Sequence, residues 1–220
     1  MAALIPLFPL GTVLVPGAPL PLRIFEDRYR KLVADLLEQP PELRQFGVVA
    51  IKSGREVGED GVRTLHDVGC LAQIATTERG ADGTYQLETI GTRRFRLLEV
   101  EEGAPYLRGH VDWLPEPSGA AEPLVPIVHE RFASYRGELA RLQGTSFELP
   151  DLPSDPAMLS YVVAATVIAD VADRQGFLAE YDAEARLARE ASWLARETGL
   201  LGKLSALPGP DLLKVAFSAN

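Results

Sequence analysis

Apolar positions recur along this chain with two different periods, and the change of period divides it. Leu20-Pro21-Leu22-Arg23-Ile24 alternates as a strand, and Pro21, which has no N–H to donate, places that strand at a sheet edge. Val13-Leu14-Val15 is a β-prone run, whereas Leu4-Ile5 and Leu7-Phe8 read as short extended pieces separated by prolines. One helix is predicted over 26–38. Tyr29, Leu32, Val33, Leu36 and Leu37 make a single apolar stripe, Glu26 and Asp27 suit its positive end, and Pro40-Pro41 stop it. Strands resume at Gly47–Ile51 after which 53–61 reads as a polar loop. The β-rich runs 69–78 and 84–100 flank Arg79-Gly80-Ala81-Asp82-Gly83, a hairpin signal. Gly91 ends the Tyr85/Leu87 alternation and predicts a bulge or bend, and Tyr106–Leu114 reads as a last strand.

The pattern changes at Pro115–Glu122. Beyond it Val128, Phe132, Tyr135, Leu139 and Leu142 recur at helical spacing. Asp155-Pro156 is a cap followed by proline at the first helical position, and 157–172, apolar nearly all round, predicts one helix buried on several sides. Leu187, Ala191, Leu194 and Ala195 predict another, ending near Gly199 or Gly202. Trp193 lies off that stripe, either exposed to a partner or packed on the other half. The fold class is therefore α+β: a β-rich half over 1–115, forming a closed or half-closed barrel, then a helical half over 116–220. No parallel sheet is expected in the first half and no strand beyond 124. Apolar contacts should join the two.

Composition narrows the function classes. With 220 residues, 46% of them hydrophobic, the chain can build a substantial core. Its formal charge is −9, with −3 over 1–115 and −6 over 116–220. No basic stripe survives that balance, which disfavours nucleic acid and anionic membrane as partners. The first 22 residues carry no charged side chain, but five prolines break them and no basic segment precedes them, unlike a signal peptide. The apolar run 156–169 is too short to span a bilayer. Cys70 is the single cysteine, so there is no internal disulfide framework. A cytoplasmic protein is expected.

Candidate chemistry is sparse. Lys203 and Ser205 adjoin at a glycine-leucine stretch without signs of the buried lysine that serine-lysine catalysis needs. His66, Asp67 and Cys70 fall short of a zinc ligand set, since His110 and His129 lie in different halves. Gly54, Gly58 and Gly61 alternate with acidic residues and precede no helix, unlike a phosphate loop. Arg93, Arg94 and Arg96 are the densest basic cluster, but a strand splits them between two faces. No cofactor and no metal is expected.

The order of several short runs nevertheless carries information. Ile5-Pro-Leu-Phe-Pro-Leu-Gly-Thr-Val-Leu-Val-Pro-Gly17 precedes Leu20-Pro-Leu-Arg-Ile-Phe-Glu-Asp-Arg-Tyr-Arg30. Then come Gly69-Cys-Leu-Ala-Gln-Ile74, Asp82-Gly-Thr-Tyr-Gln-Leu87, Gly91-Thr-Arg-Arg-Phe-Arg96, Gln175-Gly-Phe-Leu178 and Asp182-Ala-Glu-Ala-Arg-Leu187. Taken together, from about residue 4 to about 201, this resembles the N-terminal, substrate-binding domain of the ATP-dependent protease Lon. The resemblance implies a PUA-like β-barrel packed against a helical bundle, and a role in protein quality control. No stretch matches G-x-x-x-x-G-K-[ST], so the ATP-binding lysine loop of a complete Lon is missing, and a stand-alone, non-enzymatic form of the domain is expected.

The binding surface is expected at the uncharged opening: Phe8, Leu10, Val13 and Leu14, beside Leu20, Leu22 and Ile24. Prolines hold this chain extended, so open backbone groups and apolar side chains would occur together and accept a peptide strand. Phe25 and Tyr29 are expected to pack as i, i+4 neighbours with a structural role. The expected partners are unfolded or extended polypeptide segments and a separate protease, with a homo-oligomer left open. Two other classes compete: a PUA-like RNA binder, and an enzyme with an unrecognised small-molecule pocket.

Overall fold

In the computed structural model, which describes residues 2–54, 62–101, 105–145 and 151–206, the hairpin signal sits between the two longest strands. These are β5 (Val68–Arg79) and β6 (Tyr85–Glu101), paired antiparallel. Gly83 turns the chain at φ +78, and the Asp82 carboxylate accepts from the Thr84 N–H at 3.1 Å and hydroxyl at 2.7 Å. The other strands are β1 (Ala3–Leu10), β2 (Pro19–Ile24), β3 (Gln45–Gly54), β4 (Val62–Leu65) and β7 (Arg108–Trp113). The polar loop read over 53–61 lies mostly outside the described residues, and β4 beyond it had no sequence signal.

Strands β1, β7, β6, β5 and β3 pair in that order, and β1 also pairs β3, so the ladder returns to its start. β1 achieves this by changing partners midway. Ala3–Pro6 run antiparallel to β7 and Leu7–Leu10 run parallel to β3. The opening is thus one strand rather than separate pieces, and the sheet includes one parallel ladder where none was expected. Among the described residues each half of β1 has a ladder on one edge only, apart from the Leu7 N–H that donates to the Leu107 carbonyl at 2.8 Å, which tolerates the donors missing at Pro6 and Pro9. β2 pairs with β6 alone among the described residues, as the edge reading of Pro21 required.

Helix α1 (Asp27–Leu37) buries Tyr29, Leu32, Val33 and Leu36 against Phe8, Ile24, Phe46, Val48 and Leu87. The pleat sends Leu7 and Val49 the other way, to Phe95 and Val111. A Cβ at Gly69 would stand 2.4 Å from the Phe95 ring, so that ring fills space only glycine leaves. Gly91 meets the bulge expectation. The β5–β6 register shifts beside it, Gly17 N–H donates to its carbonyl at 2.8 Å, and its own N–H donates to Ala18 at 2.9 Å. A Cβ there would lie 2.2 Å from the Val15 carbonyl oxygen.

The helical residues form α2 (Leu124–Gln143), α3 (Pro156–Thr166), α4 (Val171–Ala179) and α5 (Ala183–Ala206). The Asp155 carboxylate caps α3, accepting from the Met158 N–H at 2.8 Å. The single helix expected over 157–172 is split in two. Val167 turns extended, and the Asp170 carboxylate caps α4 by accepting from the Asp173 N–H at 2.7 Å. α5 passes through Gly199 and Gly202, neither of which adopts the left-handed conformation that would end it. Trp193 is buried within this half, edge-on to Tyr135 and Phe177, with its indole N–H donating to Asp173 at 2.7 Å.

One core joins the halves: Val13, Val15, Ala50 and Val68 pack with Phe132, Leu159, Val163, Phe177 and Leu187. Through it runs a charged clamp. Glu116 accepts from Arg94 of β6 at 2.5 Å and, through its other oxygen, from Arg186 of α5 at 3.3 Å. Both guanidinium groups are buried. Arg94 donates further to the carbonyls of Leu178 at 2.8 Å and Glu180 at 2.5 Å. Arg186 donates to the Phe177 carbonyl at 3.2 Å and the Ser160 hydroxyl at 2.9 Å, and lies 4.1 Å over the Tyr161 ring. Ser160 in turn donates to the Ala157 carbonyl at 2.8 Å.

The pairing of the protein's charges sets how much each one matters to stability. Glu116→Ala strips the shared carboxylate from two buried cations and should lower stability by about 3–5 kcal/mol in urea unfolding. Glu197→Ala, which loses the exposed pair with Arg196, should change it by under about 1 kcal/mol. Glu190 is wholly buried with no hydrogen bond to its carboxyl among the described residues. Burial pushes its pKa well above the ordinary range, offset only in part by Arg186. The unfolded chain sheds that proton at about pH 4.3, so folding is penalised progressively above it. Glu190→Gln should therefore stabilise the protein near pH 7–8, and the gain should vanish below about pH 4 in denaturant titrations.

Candidate functional site

The end of β2, a strand that pairs with β6 alone among the described residues, lines a cavity of about 130 Å³. Phe8, Pro9 and Leu10 from the end of β1 form one wall, and Leu22, Arg23, Ile24 and Phe25 form the other. Tyr29 of α1 closes the floor, its ring stacked on Phe8 at 4.1 Å and 22°. Glu26, also at the lining, is held by Arg28 at 2.9 Å, and that guanidinium lies 4.5 Å over Tyr29. Phe25, expected to pack on Tyr29, lines the same cavity as that residue and is 56% exposed.

The structure thus brings Phe8, Leu10, Leu22 and Ile24 to one cavity, Phe8 and Ile24 as buried walls and Leu10 and Leu22 half-buried. Leu20 is half-buried nearby on β2. Val13 and Leu14 are buried and take no part in an exposed patch. Val13 belongs to the core between the halves and Leu14 to the α1 core, because the crossing from β1 to β2 runs between both.

A second, larger cleft of about 460 Å³ opens at the other end of β2. Pro16, Gly17, Ala18 and Pro19 form one side, and Met158, Tyr161, Val162, Ala165 and Thr166 of α3 the other. Sequence reading missed this contribution from α3, which lies some 140 residues away. The exposure of Met158 in an otherwise buried segment is apparent only after folding. A third cleft, of about 420 Å³, lies between Leu37, Arg44, Ile74, Arg79 and Tyr85. Glu190, the carboxyl that burial raises, lines none of the three.

Elsewhere the candidate chemistry disperses. Burial pushes the Cys70 thiol up to about 12, which makes it a hydrophobe rather than a nucleophile. No three His, Cys, Asp or Glu side chains converge as a metal site among the described residues. Arg93 lies 4.8 Å over Trp113, Arg94 is consumed by the clamp, and Arg96 is exposed, so the three arginines form no patch. Lys203 is exposed near the end of α5, away from any of these cavities. No helix among the described residues is long and apolar enough to cross a membrane.

Comparison with known proteins agrees with the fold. A solved Lon N-terminal domain protein from Xanthomonas campestris is 26% identical, with a TM-score of 0.61, covering 87% of this chain and 98% of that one. The N-terminal domain of a Mycobacterium avium complex Lon protease shares the fold, at a TM-score of 0.63 and 18% identity over 88% of this chain and 98% of that one. Lon protease 2 of Myxococcus xanthus is 26% identical over 206 residues, covering 91% of this chain and 24% of the relative. Lon protease of Phenylobacterium zucineum is 29% identical over 88% of this chain and 24% of its own. The chain therefore spans about a quarter of the curated relatives it matches. Residues 4–196 match the model of the ATP-dependent protease La (LON) substrate-binding domain, and the chain belongs to that family.

Proposed function

We propose that this chain binds exposed apolar segments of extended or unfolded polypeptides and catalyses no reaction itself, acting as an adaptor or chaperone-like partner of a separate protease. The observation that carries the reading is the edge of β2 left without a ladder among the described residues, beside the cavity walled by Phe8, Leu10, Leu22 and Phe25. A strand added at that edge would donate to its open carbonyls, Pro19 and Pro21 offering no N–H in return, while one of its side chains enters the cavity. Membership of a substrate-binding family supports polypeptide as the ligand, and the 220 residues contain no G-x-x-x-x-G-K-[ST] motif to hold ATP. The returning strand ladder fits a PUA-like barrel over 1–115, with the helices of 116–220 as a bundle packed on it. The RNA-binding alternative loses support with the dispersal of the arginines, and the enzyme alternative with clefts that hold no raised acid.

Binding is measured by titrating the purified chain into a labelled, permanently unfolded protein. Leu22→Asp or Phe25→Ser should weaken it about tenfold or more, the scale of one apolar side chain kept from burial. Unchanged affinity in a folded variant would remove the cavity from the reading. The wild-type chain should hydrolyse neither ATP nor peptides. Turnover that persists through repeated purification would refute the non-catalytic role.

A further inference from the structure

β2 touches both of the apolar sites described above, one at each end. Leu22–Phe25 wall the smaller cavity, Pro19 belongs to the α3 cleft, and the edge between them carries no ladder among the described residues. Building on the proposed polypeptide binding, we infer that a client lies along this edge as an added strand pinned by two apolar side chains, one in each site. A strand rises about 3.3 Å per residue, so sites centred near residues 18 and 24 are about 20 Å apart, or about six residues of extended client. An even separation keeps both anchors on one face of the added strand.

The walls describe the client. The smaller cavity, at about 130 Å³, suits a single leucine- or phenylalanine-sized side chain. The α3 cleft is lined by Pro16, Pro19, Met158, Val162 and Ala165 and takes a second, with Met158 60% exposed at its rim. Charge sets the flank. At the smaller cavity Glu26 is already paired with Arg28. Arg23 is exposed there and forms no ion pair within 4 Å among the described residues, its charge reaching the Asp82 carboxylate only at longer range. An acidic residue beside the anchor in that cavity completes the match. The partner is therefore an extended polypeptide with two large apolar residues about six apart and a carboxylate next to one of them.

Synthetic 12-residue peptides test this by fluorescence anisotropy. A peptide with two phenylalanines six apart, one followed by aspartate, should bind at least tenfold tighter than peptides with one phenylalanine or with two placed three apart. Ala165→Trp, which fills the α3 cleft, and the milder Met158→Ser should reduce the two-anchor peptide toward single-anchor affinity. Neither should change binding of the single-anchor peptide with aspartate. Arg23→Glu should reverse a preference for aspartate over lysine beside the anchor. Affinity independent of spacing, or unaltered by both α3 variants in folded protein, would overturn the two-anchor inference while leaving single-site binding intact. Failure of every peptide to bind would overturn both.

Discussion

Two guanidinium groups are buried at the centre of this protein, and among the described residues Glu116 is the one carboxylate that pairs with both. Removing an arginine from water is tolerated only when its donors find acceptors. Arg94 finds them in Glu116 and in carbonyls at the end of α4, where unpaired backbone oxygens and the negative end of the helix dipole await a cation. Arg186 finds them in the same carboxylate and in Ser160 of α3. A long strand, the linker and three helices are thereby held in a single arrangement. The cleft between α3 and the Pro16–Pro19 loop exists because that arrangement is fixed.

Period and punctuation made much of the sheet readable. Alternation located β2 and the start of β6, the hairpin signal set β5 beside it, Pro21 marked an edge, Gly91 marked the bulge, and the Tyr29/Leu32/Val33/Leu36 stripe placed α1 within one residue at each end. What escaped had the wrong periodicity or none. Residues 157–172 are apolar all round, so their pattern cannot show that Asp170 starts a new helix. Val13-Leu14-Val15 crosses between two cores, and outside a regular strand burial does not alternate. Arg186 and Glu190 occupy the buried stripe of α5 beside Leu187 and Ala191, a signal that was present but looks like an ordinary exposed i, i+4 ion pair.

The candidate site divides in the same way. Phe8, Leu10, Leu22 and Ile24 lie on strands that local reading placed near one another, and they share a cavity. The α3 wall of the second cleft depends on how two halves pack, which no local pattern encodes. Tertiary packing, not propensity, decides which apolar residues remain available to a partner.

The change of partner within β1 has a consequence for how the chain matures. Ala3 pairs with Val111 and Leu7 with Gly47, so β1 must wait for β7, made about a hundred residues later, before its ladder is complete. Such distant closure is slow, because chain entropy is lost well before the contacts that compensate for it form. During synthesis the opening segment is an uncharged apolar strand with no partner, the kind of edge that joins neighbouring nascent chains. Its prolines interrupt any long intermolecular ladder while that wait lasts. Pro6 and Pro9 thus act as gatekeepers against self-association until the sheet closes over β1.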